Sequence, residues 1–269
     1  NGVIVVDKAK GNTSFDEIRK IRKEYTIKKV GHTGTLDPMA TGVLTILVGE
    51  ATKLSDYLMN HDKEYVATLS LGEKRDTGDS EGKIIETKKV PDLSEKNVKE
   101  TLKSFEGEIS QIPPKYSAIK VNGKKLYEYA RSGEEIEIKP RKVNIFEINL
   151  IEIKENSITF KVHCSKGTYI RTLCEDIAEK LGTVGYMSSL RRTRVGNFTL
   201  DDVGKIISIE ETLKNEPEYK LKDKELSKFM NGVKIITNLK DGLVRLYDKD
   251  KFIGVGEIKD KELKRKIVV

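Results

Sequence analysis

The chain has 269 residues, of which 37% are hydrophobic and 35% are charged, so it can bury a real core in one large domain or in a large domain plus a small one. Its net charge of +7 fits an anionic partner and fits equally a solvated, lysine-rich surface. Only two cysteines occur, which excludes a disulfide framework and a zinc site and fits a reducing cytoplasm. No apolar run is long enough to cross a membrane, and the first residues read as a strand rather than a signal peptide. We therefore expect a cytoplasmic protein that is not in a membrane.

The first elements are a strand and a helix. Residues 3–6 form a short apolar run that predicts a strand. The spacing of Ser14 and Glu17 is that of a capping box, which predicts a helix from Ser14 to about Tyr25. The apolar run at 43–48 predicts a buried strand, and residues 50–59 follow it as an amphipathic helix.

The middle of the chain alternates strands with a few helices. Residues 65–71 and 83–90 predict strands, and Ser94 caps a helix that Gly107 closes. The later elements follow the same reasoning, and they are an Asn-Gly turn at 122–123, a helix over 125–131, strands over 143–153 and 158–164, a helix over 168–181 and a strand over 187–198. No regular alternation of strand and helix appears. The pattern predicts an α+β domain over residues 1–218, with a large, mostly antiparallel mixed sheet flanked by helices.

The C-terminal part has a different character. A hairpin is predicted where residues 243–247 and 251–258 alternate around the turn Asp248, Lys249 and Asp250. We therefore predict a small β-rich domain over residues 219–269.

The most informative stretch is a glycine-rich loop at residues 31–44, GHTGTLDPMATGVL. Glycine lets a ligand approach the backbone closely, and Pro38 biases Asp37 toward an extended conformation. The loop thus presents one carboxylate from a fixed backbone. On chemistry alone the alternative stays open that Asp37 is only a turn former, as most such aspartates are.

The loop resembles the signature of the TruB family of pseudouridine synthases. Three further segments resemble later motifs of that family: KEYVATLSLG at 63–72, KGTYIRTL at 166–173 and LRRTRVG at 190–196. The resemblance runs over nearly the whole chain. It implies a pseudouridine synthase catalytic fold followed by a reduced, PUA-like RNA-binding domain.

The resemblance also implies roles for five residues. Asp37 takes the position of the essential catalytic residue, and Arg171 that of an arginine paired with it. Tyr65 takes the position of an active-site tyrosine, Tyr169 that of a tyrosine that contacts the substrate, and Leu190 that of a leucine lining the uridine pocket. Without the family, Tyr65 and Tyr169 are more often core residues, Leu190 is an ordinary core residue, and Arg171 is an exposed surface residue.

The remaining candidates lie around the same segments. His32 is expected to help hold the RNA with its base flipped out, and Gly31 and Gly34 belong with it to the substrate-binding loop. No second His or Cys is near His32 in sequence, so we expect no metal site. Dense basic positions predict contacts with the RNA backbone, although a solvated face is the alternative; these positions are Lys28, Lys29, Arg191, Arg192 and Arg194.

By this resemblance the protein isomerises a uridine to pseudouridine at position 55 in the T loop of tRNA. The rearrangement is internal, so no cofactor or metal is expected, and the partner is tRNA. We expect a monomer with no obligate protein partner. Two alternatives remain: a pseudouridine synthase that depends on guide RNA, and a tRNA-binding folding helper.

Overall fold

A computed structural model describes residues 1–269, with 19 strands and seven α-helices. The strands are β1 (Gly2–Lys8), β2 (Val30–His32), β3 (Thr41–Val48), β4 (Lys63–Leu71), β5 (Glu73–Arg75), β6 (Ile84–Thr87), β7 (Gly107–Gln111), β8 (Lys120–Val121), β9 (Lys124–Lys125), β10 (Arg141–Lys154), β11 (Ser157–Cys164), β12 (Gly185–Val195), β13 (Phe198–Thr199), β14 (Ile206–Ile207), β15 (Glu218–Lys220), β16 (Ile235–Ile236), β17 (Gly242–Asp248), β18 (Lys251–Lys259) and β19 (Glu262–Val268). The helices are α1 (Ser14–Tyr25), α2 (Ser55–Met59), α3 (Glu95–Lys103), α4 (Leu126–Ser132), α5 (Ile170–Lys180), α6 (Ile209–Thr212) and α7 (Asp223–Met230).

The fold is built on one ten-stranded sheet, with the strand order β14-β1-β3-β12-β4-β11-β10-β7 and with β13 and β2 paired to β12 and β3. Every pair of named strands in it is antiparallel except β12 with β3. The predicted α+β class with a large, mostly antiparallel sheet is confirmed. The physical reason lies in the long alternating strands, which pack one face on helices and leave the other partly solvated.

Strand β3 is buried on both faces, as its continuous apolar run predicts. Val43 and Leu47 belong to one core cluster, and Leu44 and Ile46 belong to another, which includes Ile21 of α1. The glycine-rich loop that precedes β3 is therefore anchored at one end to the best-buried strand of the sheet.

Helix α1 begins at Ser14, but its cap is one residue earlier than predicted. The capping box is formed by Thr13 and Asp16, not by Ser14 and Glu17. Thr13 has the extended backbone that a cap needs, whereas Ser14 is already helical and buried. Because Ser14 is released from capping, its hydroxyl is available to the loop that carries Asp37.

Three other boundaries differ from the predictions. The predicted helix over 50–59 is a 3-10 turn, Gly49–Leu54, followed by the short α2. Helix α3 is capped by Ser94 as expected but ends at Lys103, and Gly107 instead starts β7 with a positive φ of 97°. The strand predicted over 83–90 is only the four residues of β6, which pairs with β5 outside the main sheet.

The C-terminal residues form a five-stranded sheet with the order β15-β17-β18-β19-β16, and the predicted hairpin is formed by β17 and β18. This β-rich part is not isolated, because Leu243, Val255 and Ile267 pack in the same cluster as Val3 and Leu47 of the large sheet. The division into domains 1–218 and 219–269 stays a prediction. No helix anywhere in the chain has the length and apolarity needed to cross a membrane.

Candidate active site

The segment between β2 and β3, residues 33–40, carries Asp37 and is called the Asp37 loop below. Buried side chains of Leu36 and Met39 anchor it in the main core. The Ser14 hydroxyl accepts a hydrogen bond from the Leu36 backbone N–H at 2.9 Å. The N–H of Ala40 donates to the Asp37 carbonyl at 3.0 Å, which closes a tight turn around Pro38. The Asp37 carboxylate is thus held on a backbone fixed from both sides.

Lys8 of β1 also holds the Asp37 loop in place. Its side chain is fully buried, and its Nζ donates to the carbonyls of Asn12 at 2.7 Å and Pro38 at 3.3 Å. Burial lowers the pKa of Lys8, while the charges of Glu17 and Asp37 act in the opposite direction. A buried cation is costly unless it is compensated, so its place here ties β1 to the turn that presents Asp37.

Asp37 and Arg171 form the ion pair that the family resemblance implies. The Nε of Arg171 lies 3.1 Å from Oδ2 of Asp37, and Nη2 donates to Oδ1 at 3.4 Å. The side chain of Arg171 is 6% exposed and that of Asp37 is 34% exposed. Solvent is therefore excluded from the arginine but reaches the carboxylate, so a ligand can reach Asp37.

Arg171 is held by more than Asp37. Its Nη1 donates to the Thr77 carbonyl at 3.0 Å, and its Nη2 donates to the Tyr116 carbonyl at 2.9 Å. The buried carboxylate of Asp79 lies 3.8 Å from Nη1. The planar guanidinium is thus fixed from three directions, and it holds the Asp37 carboxylate in one orientation.

Burial is the largest influence on Asp37 and raises its pKa, and the nearby charge of Arg171 opposes this shift. The carboxylate of Asp79 raises the pKa further, and Lys8 lowers it. A desolvated carboxylate is a stronger base and nucleophile than a solvated one. The arrangement suits a carboxylate that reacts.

A cavity of about 110 Å³ opens at the Asp37 carboxylate. It brings together five of the predicted site residues, which come from four separate segments: Asp37, Tyr65, Tyr169, Arg171 and Leu190. The remaining lining residues are Thr35, Leu36, Thr168, Ile170 and Met187. Six of the ten lining residues are hydrophobic and the Asp37–Arg171 ion pair is part of the wall, a combination that is typical of a pocket in which a few polar groups orient a bound ligand.

Tyr65 lies on β4 and is buried, with Arg192 as its cross-strand partner. Burial raises the pKa of Tyr65 to about 12, although the Arg192 charge lowers it. The phenol is therefore neutral near pH 7, so it can stack on a base or donate a proton, and it is not a phenolate base.

Tyr169 occupies the position just before α5 and has an extended backbone, so the helix starts at Ile170 rather than at the predicted Thr168. Its ring lines the cavity. Burial raises the pKa of Tyr169, and the nearby positive charges of Arg141 and Arg171 act in the opposite direction. Leu190 is buried on β12 and forms part of the cavity wall.

His32, Gly31 and Gly34 do not line this cavity. His32 ends β2, and its Nδ1 accepts a hydrogen bond from the Gly34 N–H at 3.2 Å. Burial and the charge of Arg192 lower the pKa of His32, so the ring is neutral at pH 7. These three residues form one side of the loop, and a direct contact of theirs with the substrate remains a prediction.

The basic positions differ from one another. Lys28 and Lys29 are exposed, and Lys29 pairs with Glu50 at 3.1 Å. Arg191 forms a two-contact pair with Asp7, at 2.8 and 3.1 Å. Arg194 pairs with Asp62 at 3.2 Å.

The prediction that Arg192 contacts the RNA backbone is wrong for this structure. Its side chain is buried, with a residue exposure of 1%. Its Nε donates to the Val43 carbonyl at 2.7 Å and its Nη2 to the Gly34 carbonyl at 3.2 Å. Successive side chains on a strand point to opposite faces, so Arg192 faces inward where Arg191 faces outward. Arg192 therefore links the start of the Asp37 loop to β3, the strand that follows the loop.

Several supporting residues were not found from the sequence. Lys8 carries a weak signal, since a charged residue ends an apolar strand there. Gln111 is 1% exposed and bonds to the backbone of Tyr169, but no local pattern links it to a helix so distant in the chain. The structure holds no group of three or more His, Cys, Asp or Glu side chains placed to bind a metal ion.

Three family models match the chain. One described as "TruB family pseudouridylate synthase (N terminal domain)" matches residues 22–170. "tRNA pseudouridylate synthase B C-terminal domain" matches residues 171–234, and "Pseudouridine synthase II TruB, C-terminal" matches residues 217–269.

Similar proteins match over nearly their whole length. A "tRNA pseudouridine synthase B" of Clostridium kluyveri is 44% identical, covering 98% of both chains. One of Clostridium tetani is 46% identical, covering 96% of this chain and 95% of the other. Among solved structures, "Crystal Structure of a Cbf5-Nop10-Gar1 Complex" has a TM-score of 0.73 at 27% identity, covering 99% of this chain and 84% of that one. "Structure of H/ACA RNP bound to a substrate RNA containing 2'-deoxyuridine" has a TM-score of 0.70 at 26% identity, with 99% and 83% covered.

Proposed function

Because the chain belongs to the TruB family of pseudouridine synthases, we propose that it isomerises uridine to pseudouridine at position 55 in the T loop of tRNA. The C1′–N1 bond breaks, the uracil turns, and C5 bonds to C1′. Asp37 acts at the sugar or the base as nucleophile or as general base. The observation that carries the proposal is the Asp37–Arg171 pair, which opens on its carboxylate side into the cavity.

The other residues that line the cavity bind the uridine and assist the reaction. A uridine in a folded RNA loop must leave its stack before a protein group can reach it. Tyr65 stacks on the flipped ring and, being neutral, can donate a proton. Tyr169 and Leu190 complete the wall, and Arg171 orients Asp37 and keeps it ionised. His32, with Gly31 and Gly34, holds the displaced RNA beside the cavity.

The substrate is held outside the cavity by backbone contacts. Exposed Lys28 and Lys29, and the half-exposed Arg191 and Arg194, supply positive charge for phosphates. The C-terminal domain, residues 219–269, adds RNA contacts as a reduced PUA-like unit.

We further infer that the enzyme works in the cytoplasm as a monomer, without guide RNA or an obligate protein partner. The relatives that match over almost their full length at 44–46% identity are named as tRNA enzymes. The solved complexes, whose titles name H/ACA RNP or Cbf5, Nop10 and Gar1, are 26–27% identical. The higher identity favours the tRNA activity.

The test uses the purified full chain and an unmodified tRNA transcript, with no guide RNA and no added protein. Pseudouridine is mapped by chemical probing after incubation. The proposal predicts one new pseudouridine, in the T loop. Tight, salt-sensitive binding without modification would support the folding helper instead, and modification only after adding guide RNA would support the guide-dependent alternative.

A further inference from the structure

Helix α5 begins in a way that its own sequence does not stabilise. Its N-cap, Tyr169, makes no side-chain capping bond, and no acidic residue lies in its first turn. The second helical residue is the cation Arg171, which the partial positive charge of a helix N-terminus disfavours. The third is Thr172, where a capping box would place Glu or Gln. Tyr169 and Arg171, which flank the first helical residue, both line the cavity, and neither caps the helix.

Gln111 supplies from outside what this turn lacks. Its Oε1 accepts from the backbone N–H of Tyr169 at 3.0 Å, and its Nε2 donates to the Tyr169 carbonyl at 3.2 Å. In a capping box, the side chain at the third helical position bonds to the N–H of the cap. Here the same bond comes from the last residue of β7, which lies 58 positions away in sequence.

The segment that follows Gln111 continues along the same turn. The Thr172 hydroxyl donates to the Ile112 carbonyl at 3.2 Å, and Nη2 of Arg171 donates to the Tyr116 carbonyl at 2.9 Å. Gln111 is buried, with 1% exposure, and both the oxygen and the nitrogen of its side-chain amide bond to the backbone of one residue, Tyr169. A residue that only filled space there would not need an amide.

We propose that Gln111 is a positioning residue for the reaction, which fixes the first turn of α5 so that Tyr169 faces the cavity and Arg171 meets Asp37. The expected loss of rate rests on the proposed function, whereas the effect of Gln111 on the first turn of α5 does not. Misplacing a catalytic group by about 1 Å lowers rates by roughly 100-fold. Loss of Gln111 therefore slows the chemical step more than it weakens RNA binding.

The test compares Gln111→Met, which keeps the volume but makes no hydrogen bond, with Thr212→Val. Thr212 is a buried residue of α6 whose hydroxyl donates to the Ser208 carbonyl, so it controls for the loss of a buried hydrogen bond away from the site. Gln111→Asn is the second variant, because it keeps the amide but is too short to make both bonds. The readouts are the single-turnover rate at saturating enzyme, the Kd for the tRNA transcript and the pH profile of the rate.

We expect Gln111→Met to lower the single-turnover rate by roughly 10- to 100-fold, to change Kd by less than about threefold, and to move the acid limb of the profile to higher pH. The acid limb moves to higher pH because a displaced Arg171 no longer lowers the pKa of Asp37, so that pKa rises further. Thr212→Val should keep the wild-type rate and profile. A rate reduced only in proportion to the folded fraction, with an unmoved acid limb in both Gln111 variants, would overturn the proposal.

Hydrogen exchange separates this inference from the proposed function. Amide exchange of residues 169–173, followed by mass spectrometry, should speed up in Gln111→Met and stay unchanged in Thr212→Val. If the wild-type chain forms no pseudouridine, the proposed function fails while faster exchange still supports the structural role of Gln111. Unchanged exchange in both Gln111 variants would contradict that role whatever the activity.

Discussion

At the scale of single residues, the site depends on how Arg171 is held. It makes ion-pair contacts with Asp37 at 3.1 and 3.4 Å and donates to two backbone carbonyls. The Asp37 pKa reflects a balance in which burial raises it and Arg171 lowers it. A reactive carboxylate needs both influences, since burial makes it basic and the arginine keeps it ionised.

Arg171→Lys keeps the charge but loses the planar fork that reaches all of these acceptors. We expect the rate to fall by roughly 100-fold and the acid limb of the pH profile to move to higher pH, because the pKa of Asp37 rises when its arginine contact weakens. Single-turnover rates across pH, with melting temperatures recorded for both proteins, measure this effect. An unchanged acid limb would show that Arg171 does not set the ionisation of Asp37.

Much of the site was predictable from the resemblance of its motifs to a known family, but the residues that support the site were not. The Asp37–Arg171 pair joins two segments, each recognisable by its own motif. The basic run at 191–194 was misread because all three arginines were treated as exposed, although a strand must turn neighbouring side chains to opposite faces. The register also shifts between Arg192 and Arg194, and local sequence does not reveal such a shift.

At the scale of elements, the Asp37 loop depends on the junction of β3 with β12. This is the parallel pair of the large sheet, with Arg192 opposite Gly42. Gly42 has a φ of 104°, and a Cβ placed there would overlap the carbonyl oxygen of Arg192. Glycine is therefore required both by the backbone conformation and by the close approach of the neighbouring strand.

Gly42→Ala should destabilise the protein by roughly 3 kcal/mol or more, because strain and overlap add together. The matched control is Gly107→Ala, since Gly107 has a similar φ of 97° with open space where a Cβ would lie. That control should cost about 1 kcal/mol. Urea unfolding measures both values, and equal costs would show that the close approach of β12 contributes nothing.

Elements were predictable where the sequence has one strong period. The continuous apolar run of β3 and the alternation in β10 and β11 predicted strands that the structure contains. The predicted cap of α1 was wrong because two neighbouring residues could serve: Thr13 and Ser14 each have an acidic residue three positions later. The predicted start of α5 was wrong for a different reason, since the bond to its first turn comes from Gln111 rather than from a residue of the helix.

At the scale of the whole molecule, the two sheets share a core. Residues from β17, β18 and β19 pack with residues from β1 and β3 in one cluster of 14 buried side chains. Units that share apolar surface lose stability together when either one unfolds. The chain should therefore unfold by heat in a single transition, seen at the same temperature by calorimetry and by circular dichroism. Two separated transitions would show that residues 219–269 fold independently.

The net positive charge should act on RNA through a few exposed positions. Lys28 is exposed and makes no ion pair, whereas Arg191 and Arg194 are already paired with carboxylates. Lys28→Ala should weaken tRNA binding and reduce the slope of log Kd against log salt by about 1. Lys96→Ala, on the exposed face of α3, is the control and should leave the slope unchanged. An equal slope for both variants and the wild type would remove Lys28 from the RNA interface.

We expect Asp37 to carry out the chemistry, and the substitution Asp37→Asn removes its charge with little change of shape. Asparagine keeps the shape of the side chain and can still accept from Arg171. The raised pKa of Asp37 means that its ionised form costs free energy in the folded protein. A neutral asparagine relieves that cost but loses the ion pair with Arg171, so the two effects on stability oppose each other.

The measurement is pseudouridine formation in an unmodified tRNA transcript by wild type and by Asp37→Asn, with Kd and melting temperature for each. We predict that the variant melts within about 3 °C of wild type, binds the transcript with a similar Kd, and forms pseudouridine at least roughly 1,000-fold more slowly. A folded, RNA-binding Asp37→Asn protein that modified the T loop at the wild-type rate would show that Asp37 does not carry out the chemistry.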